Sequence, residues 1–215
     1  IEKISGQSYR EFLLENIFEP LGMDHTLALD ESHLEIPGRT NGYVGFWMKN
    51  EDDLNCRVPG DGNIYSTVSD LFLFDQALSG HTLVNEKTIN EAFDTTNMLR
   101  IRDNGLKYGY GWHVLHEPAG LTVYHPGGQG GYRCQYWRTL DKRRTLIVLS
   151  NNTCLQTNPG LLSAAHKIMK EEDYSMGRIS VAELFYKYLP SEGFDTALVK
   201  MKQAKENNDM KYIFP

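Results

Sequence analysis

One histidine stands at the head of a glycine run, His125-Pro126-Gly127-Gly128-Gln129-Gly130-Gly131. An imidazole can donate a hydrogen bond, or carry positive charge near neutral pH. Glycines beside it leave the backbone uncovered, because they carry no Cβ. Two other histidines, His113 and His116, invite a metal reading. Three residues apart on a strand they point to opposite faces, so one ion cannot use both, and no metal site is expected. The three cysteines, Cys56, Cys134 and Cys154, lack a CxxC spacing and read as isolated thiols rather than a disulfide framework or a zinc site. Asp70 could act as an acid, but its place after Ser66 reads as a helix first-turn charge that favours the dipole. No residue pattern calls for a cofactor.

These groups need elements to hold them. Ser8 and Glu11 form a capping-box pattern, with Tyr9, Phe12, Leu13 and Ile17 on one helical face. Pro20 and Gly22 end that helix. Residues 24–63 read as irregular, with turn signals at Asn41-Gly42, Pro59-Gly60 and Asp61-Gly62. Ser66 and Ser69 precede a helix carrying Leu71, Phe74, Asp75 and Leu78, stopped at Gly80. Asn85 caps another, with Ile89 and Phe93. Tyr108, Tyr110, Trp112 and Val114 alternate as one strand. Leu121, Val123 and His125 form the next, the glycine run follows as a loop, and Tyr132–Leu140 and Thr145–Ser150 complete an antiparallel set. The aromatics Tyr108, Tyr110, Trp112, Tyr136 and Trp137 are expected to fill core. Leu161, Leu162, Ala165, Ile168 and Met169 mark an amphipathic helix. Two further helices over 179–207 split at Pro190–Gly193. The fold class is α/β (α+β): helices and irregular chain, three or more antiparallel strands, then helices.

Composition narrows the options. With 40% hydrophobic and 11% aromatic residues the chain can bury a sizeable core. Lys and Arg number 22 against 28 Asp and Glu, for a net charge of −6, and no basic patch is dense enough for a nucleic-acid partner.

Five segments, in order, resemble the penicillin-recognising serine hydrolases, the class C β-lactamase, D-Ala-D-Ala peptidase and esterase family. They are Ile1–Gly6 running into Pro20-Leu21-Gly22-Met23-Asp24-His25-Thr26, then Gly60–Leu71 around Ser66-Thr67-Val68-Ser69-Asp70-Leu71. Tyr108-Gly109-Tyr110-Gly111-Trp112, His125–Tyr132 and Leu146-Ile147-Val148-Leu149-Ser150-Asn151 follow. The resemblance covers residues 1–174 as the C-terminal portion of a β-lactamase-like fold. Residues 175–215 read as a helical tail or linker.

The resemblance implies acyl transfer through a serine in Ser-x-x-Lys, a Tyr-x-Asn motif, and a third motif on the strand bordering the cleft. The third motif is matched by His125, Pro126 and Gly127, with the Gly128 N–H as one oxyanion donor. Phe46, Trp47, Gly131 and Tyr132 are implied at the substrate. None of the 11 serines has lysine three residues on, and no tyrosine has asparagine two residues on. The chain is therefore expected to be cut off from its nucleophile and inactive alone, with a non-catalytic binding or assembly module as the alternative. In the family the N-terminal strands pair with the last strand, so the Thr145–Ser150 edge is expected to self-associate. A small-molecule or peptidoglycan-peptide substrate and a periplasmic or membrane-associated address are implied for the complete protein.

Overall fold

The computed structural model describes residues 1–30, 36–44, 48–50, 58–96, 99–100, 105–117, 120–153, 159–174, 179–207 and 212–213. The chain opens with α1 (Glu2–Ser5) and α2 (Tyr9–Leu13). Ser8 and Glu11 close a complete capping box, whose hydrogen bonds hold the Glu11 carboxyl below the usual carboxylate range. A π-helical turn, Leu14–Phe18, leads to α3 (Glu19–Leu21), which stops at Gly22 in the left-handed region. Leu13, Phe18, Met23 and Ala28 make the first buried cluster, with Phe74 packed against it.

The expected irregular stretch holds three short strands among its described residues, β1 (Leu27–Ala28), β2 (Gly42–Val44) and β3 (Met48–Asn50), and a fourth, β4 (Ile64–Tyr65), follows just after it. At two or three residues each they are too short to leave a periodic pattern. Asn63 ties β1 to β4, its backbone carbonyl and its amide both bonding the Leu29 backbone.

Helix α4 (Val68–Ser79) is capped by Thr67, which accepts the Asp70 N–H, rather than by either flanking serine. Asp70 stands in the first turn as expected, and it does more than favour the dipole. It is buried, and its carboxylate accepts the His25 N–H at 2.8 Å and the Thr26 hydroxyl at 2.7 Å. The second half of the Ser-Thr-x-x-Asp signature thus anchors the chain ahead of β1. Asn85 caps α5 (Glu86–Phe93) as expected.

A six-stranded antiparallel sheet follows, in the order β10-β9-β8-β7-β6-β5. Its strands are β5 (Leu99–Arg100), β6 (Lys107–Gly109), β7 (Trp112–Glu117), β8 (Gly120–Gln129), β9 (Tyr132–Thr139) and β10 (Arg144–Ser150). Two sequence expectations fail here. Residues 108–114 are a hairpin, not one strand: Gly109 pairs with Trp112 across Tyr110 and Gly111, both at positive φ. Tyr110 is accordingly no core residue; it is 71% exposed and donates to Glu91. The glycine run is not a loop either. Pro126 to Gln129 continue β8, and only Gly130 and Gly131 turn.

Helices cover both faces of the sheet. On one, Val114 and Val123 are buried with Phe93 of α5, and Trp112 packs against them. On the other, His113, Tyr124 and Trp137 stack in register and meet His166 of α6 (Pro159–Lys170). Burial lowers the His166 pKa from its ordinary value. The tail carries β11 (Ile179–Ser180), α7 (Val181–Glu206), broken at Gly193, and β12 (Tyr212–Ile213), parallel to β11. Among the described residues no helix is long and apolar enough to cross a membrane.

Candidate active site

Backbone direction along β8 decides what its glycine end can offer. In an antiparallel ladder, alternate residues turn both N–H and C=O toward the same neighbouring strand. The Leu140 N–H donates to the Leu121 carbonyl at 2.9 Å. With the unbroken register to Gln129–Tyr132, this phase turns Val123, His125, Gly127 and Gln129 toward β9. Thr122, Tyr124, Pro126 and Gly128 face away from it. Pro126, which has no N–H to give, falls in the set where none is needed. β7 takes up that side only from Gly120 to Tyr124. Beyond Tyr124, no strand among the described residues lies there. The Gly128 N–H therefore points to an open edge, and Gly128 is exposed.

The glycines permit close approach. A Cβ on Gly127 would collide with Cys134 Sγ, and one on Gly128 would lie 2.7 Å from Arg133 Nη1. Cys134 has a thiol pKa raised by burial and only partly lowered by Arg133, so it is not a ready nucleophile. His125 is exposed, and its Nε2 lies 3.2 Å from the Tyr108 hydroxyl.

Gly131 and Tyr132 hold the end of the hairpin to an incoming loop. A Cβ on Gly131 would meet the Tyr43 nitrogen at 2.6 Å. The Tyr132 hydroxyl donates to the Thr40 carbonyl and accepts from Arg39 Nε at 2.9 Å. Arg39 also lies over the Tyr65 and Tyr132 rings, 5.0 and 5.6 Å from their centroids. The same loop is bound to the chain after β10: Tyr43 N–H donates to Asn151 and Thr153 N–H to Tyr43. So the structure brings His125, Gly127, Gly128, Gly131 and Tyr132 together at one hairpin. Phe46 and Trp47 lie outside the described residues, as do Cys56 and Cys154. Among the described residues no three His, Cys, Asp or Glu side chains are grouped as for a metal ion.

Behind the hairpin lies a buried polar junction that no sequence motif announced. Asp75 accepts from Arg138 Nε at 2.7 Å, Tyr136 at 2.9 Å and Thr145 at 2.9 Å, while Arg138 also donates to Ser79. Burial, reinforced by the Asp75 charge, drives the Tyr136 phenol far above its ordinary pKa. Tyr136 pairs with His125 across the ladder, so this junction sets where β8 stands relative to α4.

A family model described as Beta-lactamase matches residues 1–160. Penicillin-binding protein 4* of Bacillus subtilis is 34% identical over 194 residues, 82% of this chain and 42% of that protein. D-aminopeptidase of Brucella anthropi is 26% identical over 155 residues, 70% of this chain and 29% of that protein. The chain thus spans less than half the length of either relative. The crystal structure of a penicillin binding protein from Bacillus halodurans superposes with a TM-score of 0.61 at 22% identity, covering 70% of this chain and 47% of that one. Matched by the family model over most of its length, the chain belongs to the β-lactamase family of penicillin-recognising serine hydrolases.

Proposed function

We propose that this chain is the C-terminal portion of a serine hydrolase that forms an acyl-serine intermediate, and that the open half of β8 borders the substrate. The observation that carries this is the Gly128 N–H, turned to an open strand edge beside His125. In this reading Gly128 supplies one of two oxyanion donors, worth about 3–4 kcal/mol in the transition state. His125 donates to a substrate or side-chain oxygen. Gly127, with no Cβ, lets the substrate lie flat against the strand, and Gly131 and Tyr132 shape the hairpin end of the cleft. The substrates are β-lactams, D-Ala-D-Ala peptides, or related amides and esters. The D-aminopeptidase and penicillin-binding relatives support amide and acyl chemistry of that kind. The complete protein acts in the periplasm or at a membrane.

The nucleophile lies outside these 215 residues, since no serine here has its lysine partner. Nitrocefin and p-nitrophenyl acetate should show no hydrolysis above buffer when mixed with this chain. Turnover that an acylating inhibitor blocks would contradict the assignment. The β10 edge has no partner strand among the described residues, and Leu149 on it is exposed. The isolated chain should therefore self-associate. Light scattering checks this, and a monomer at tens of micromolar counts against it.

A further inference from the structure

His125 does not stand alone at the open edge. Tyr108 Oη lies 3.2 Å from its Nε2, with the ring centroids 5.8 Å apart. His113, another titratable ring beside it, lies 5.5 Å from His125 and 4.8 Å from Tyr108, and the Tyr136 phenol stands opposite His125 on β9. Tyr108 is delivered by the β6–β7 hairpin: it pairs with His113, one residue before the Gly109–Trp112 closure. Its neighbour Lys107 donates to the Thr95 carbonyl at 2.8 Å, which ties β6 down. The hydroxyl is therefore held by secondary structure and not by a free loop.

The donor in this pair follows from chemistry. A phenol O–H is a good donor and a phenol oxygen a poor acceptor, whereas an unprotonated imidazole nitrogen is a good acceptor. A neutral imidazole carries one proton, so a nitrogen that accepts leaves that proton on the other. We propose that Tyr108 is a positioning residue that holds neutral His125 as its Nδ1–H tautomer, leaving Nδ1–H as the donor His125 can offer at the open edge. His125 then donates to a carbonyl or carboxylate oxygen without first being protonated. The functional meaning rests on the hydrolase reading above; the tautomer itself does not.

The test uses the 215-residue chain labelled with 15N, by long-range proton–nitrogen correlation of the histidine rings. Loss of one ring system in His125→Gln assigns the signals. The spectra are recorded at about pH 8.5, two units above the histidine reference value. The expected spectrum has Nε2 in the acceptor range and Nδ1 in the protonated range. Tyr108→Phe, which keeps the ring, should move His125 toward the opposite tautomer. An Nε2–H signal in the parent chain, or an unchanged tautomer in Tyr108→Phe, overturns the proposal. Should that variant not fold, the parent spectrum decides alone: Nδ1–H supports the proposal and Nε2–H sinks it. An Nδ1–H tautomer in a complete protein that no acylating inhibitor labels would refute the hydrolase reading and leave this one standing.

Discussion

The two halves of β8 differ in almost everything except their strand. From Thr122 to Tyr124 the strand has neighbours on both sides, and Thr122 and Val123 have no exposed surface. From His125 to Gln129 it has β9 on one side only, and two of its five residues are glycine. The inner half satisfies its backbone inside the sheet and contributes core. The outer half leaves backbone groups unclaimed and removes side chains that would cover them. A strand can thus be scaffold over one stretch and open edge over the next, with the change made where β7 falls away after Tyr124.

The junction at Asp75 ties the halves together, because Arg138 pairs with Val123 and Tyr136 with His125. Asp75→Ala leaves the Arg138 charge buried without its carboxylate. Urea denaturation should show a loss of about 3–5 kcal/mol. A loss under 1 kcal/mol would mean the halves are held by other contacts. Val123→Ala in the inner half should cost about 2 kcal/mol, and His125→Ala in the outer half within about 0.5 kcal/mol. Equal costs would erase the contrast.

Within the outer half the two glycines should separate. Gly127→Ala forces a methyl group onto Cys134 and should cost about 1–3 kcal/mol, with Cys134→Ala restoring most of it. Gly128→Ala meets the flexible Arg133 side chain and should cost less than Gly127→Ala. The smallest effect concerns the opposite face. The His166 pKa is lowered by burial, so the unfolded chain binds the proton more readily. Stability should fall as pH drops below about 6.5, the unfolded value, and level off below the folded one. His166→Gln should flatten that slope; an unchanged slope would show that burial of this ring carries no acid penalty.

Much of this was legible in the residues. The capping box at Ser8, the helix start at Asn85 and the alternation of β8 to β10 are local signals, and they placed the main elements, whereas the Thr67 cap was hidden between two serines that read as its rivals. The glycine run defeated that reading because glycine carries no alternating side chain: a strand of Pro126 to Gln129 looks like a loop until its partner, Tyr132–Gln135, is counted against it. The Tyr108–Trp112 alternation misled in the reverse sense, since Gly111 marks a turn that the aromatics mask. Asp75 had a usable signal, a carboxylate among Leu71, Phe74 and Leu78 on an apolar helical face. Its three partners sit 61 to 70 residues away, and no local pattern could name them.

Residue-resolved amide exchange on the 215-residue chain tests the central claim most directly, that the outer half of β8 keeps a backbone donor free for a substrate oxygen. The Gly127 N–H, bonded into β9, should be strongly protected, while the Gly128 N–H next to it exchanges at nearly the unprotected rate. Comparable protection at the two glycines would mean that the edge is closed, and Gly128 could not serve as an oxyanion donor.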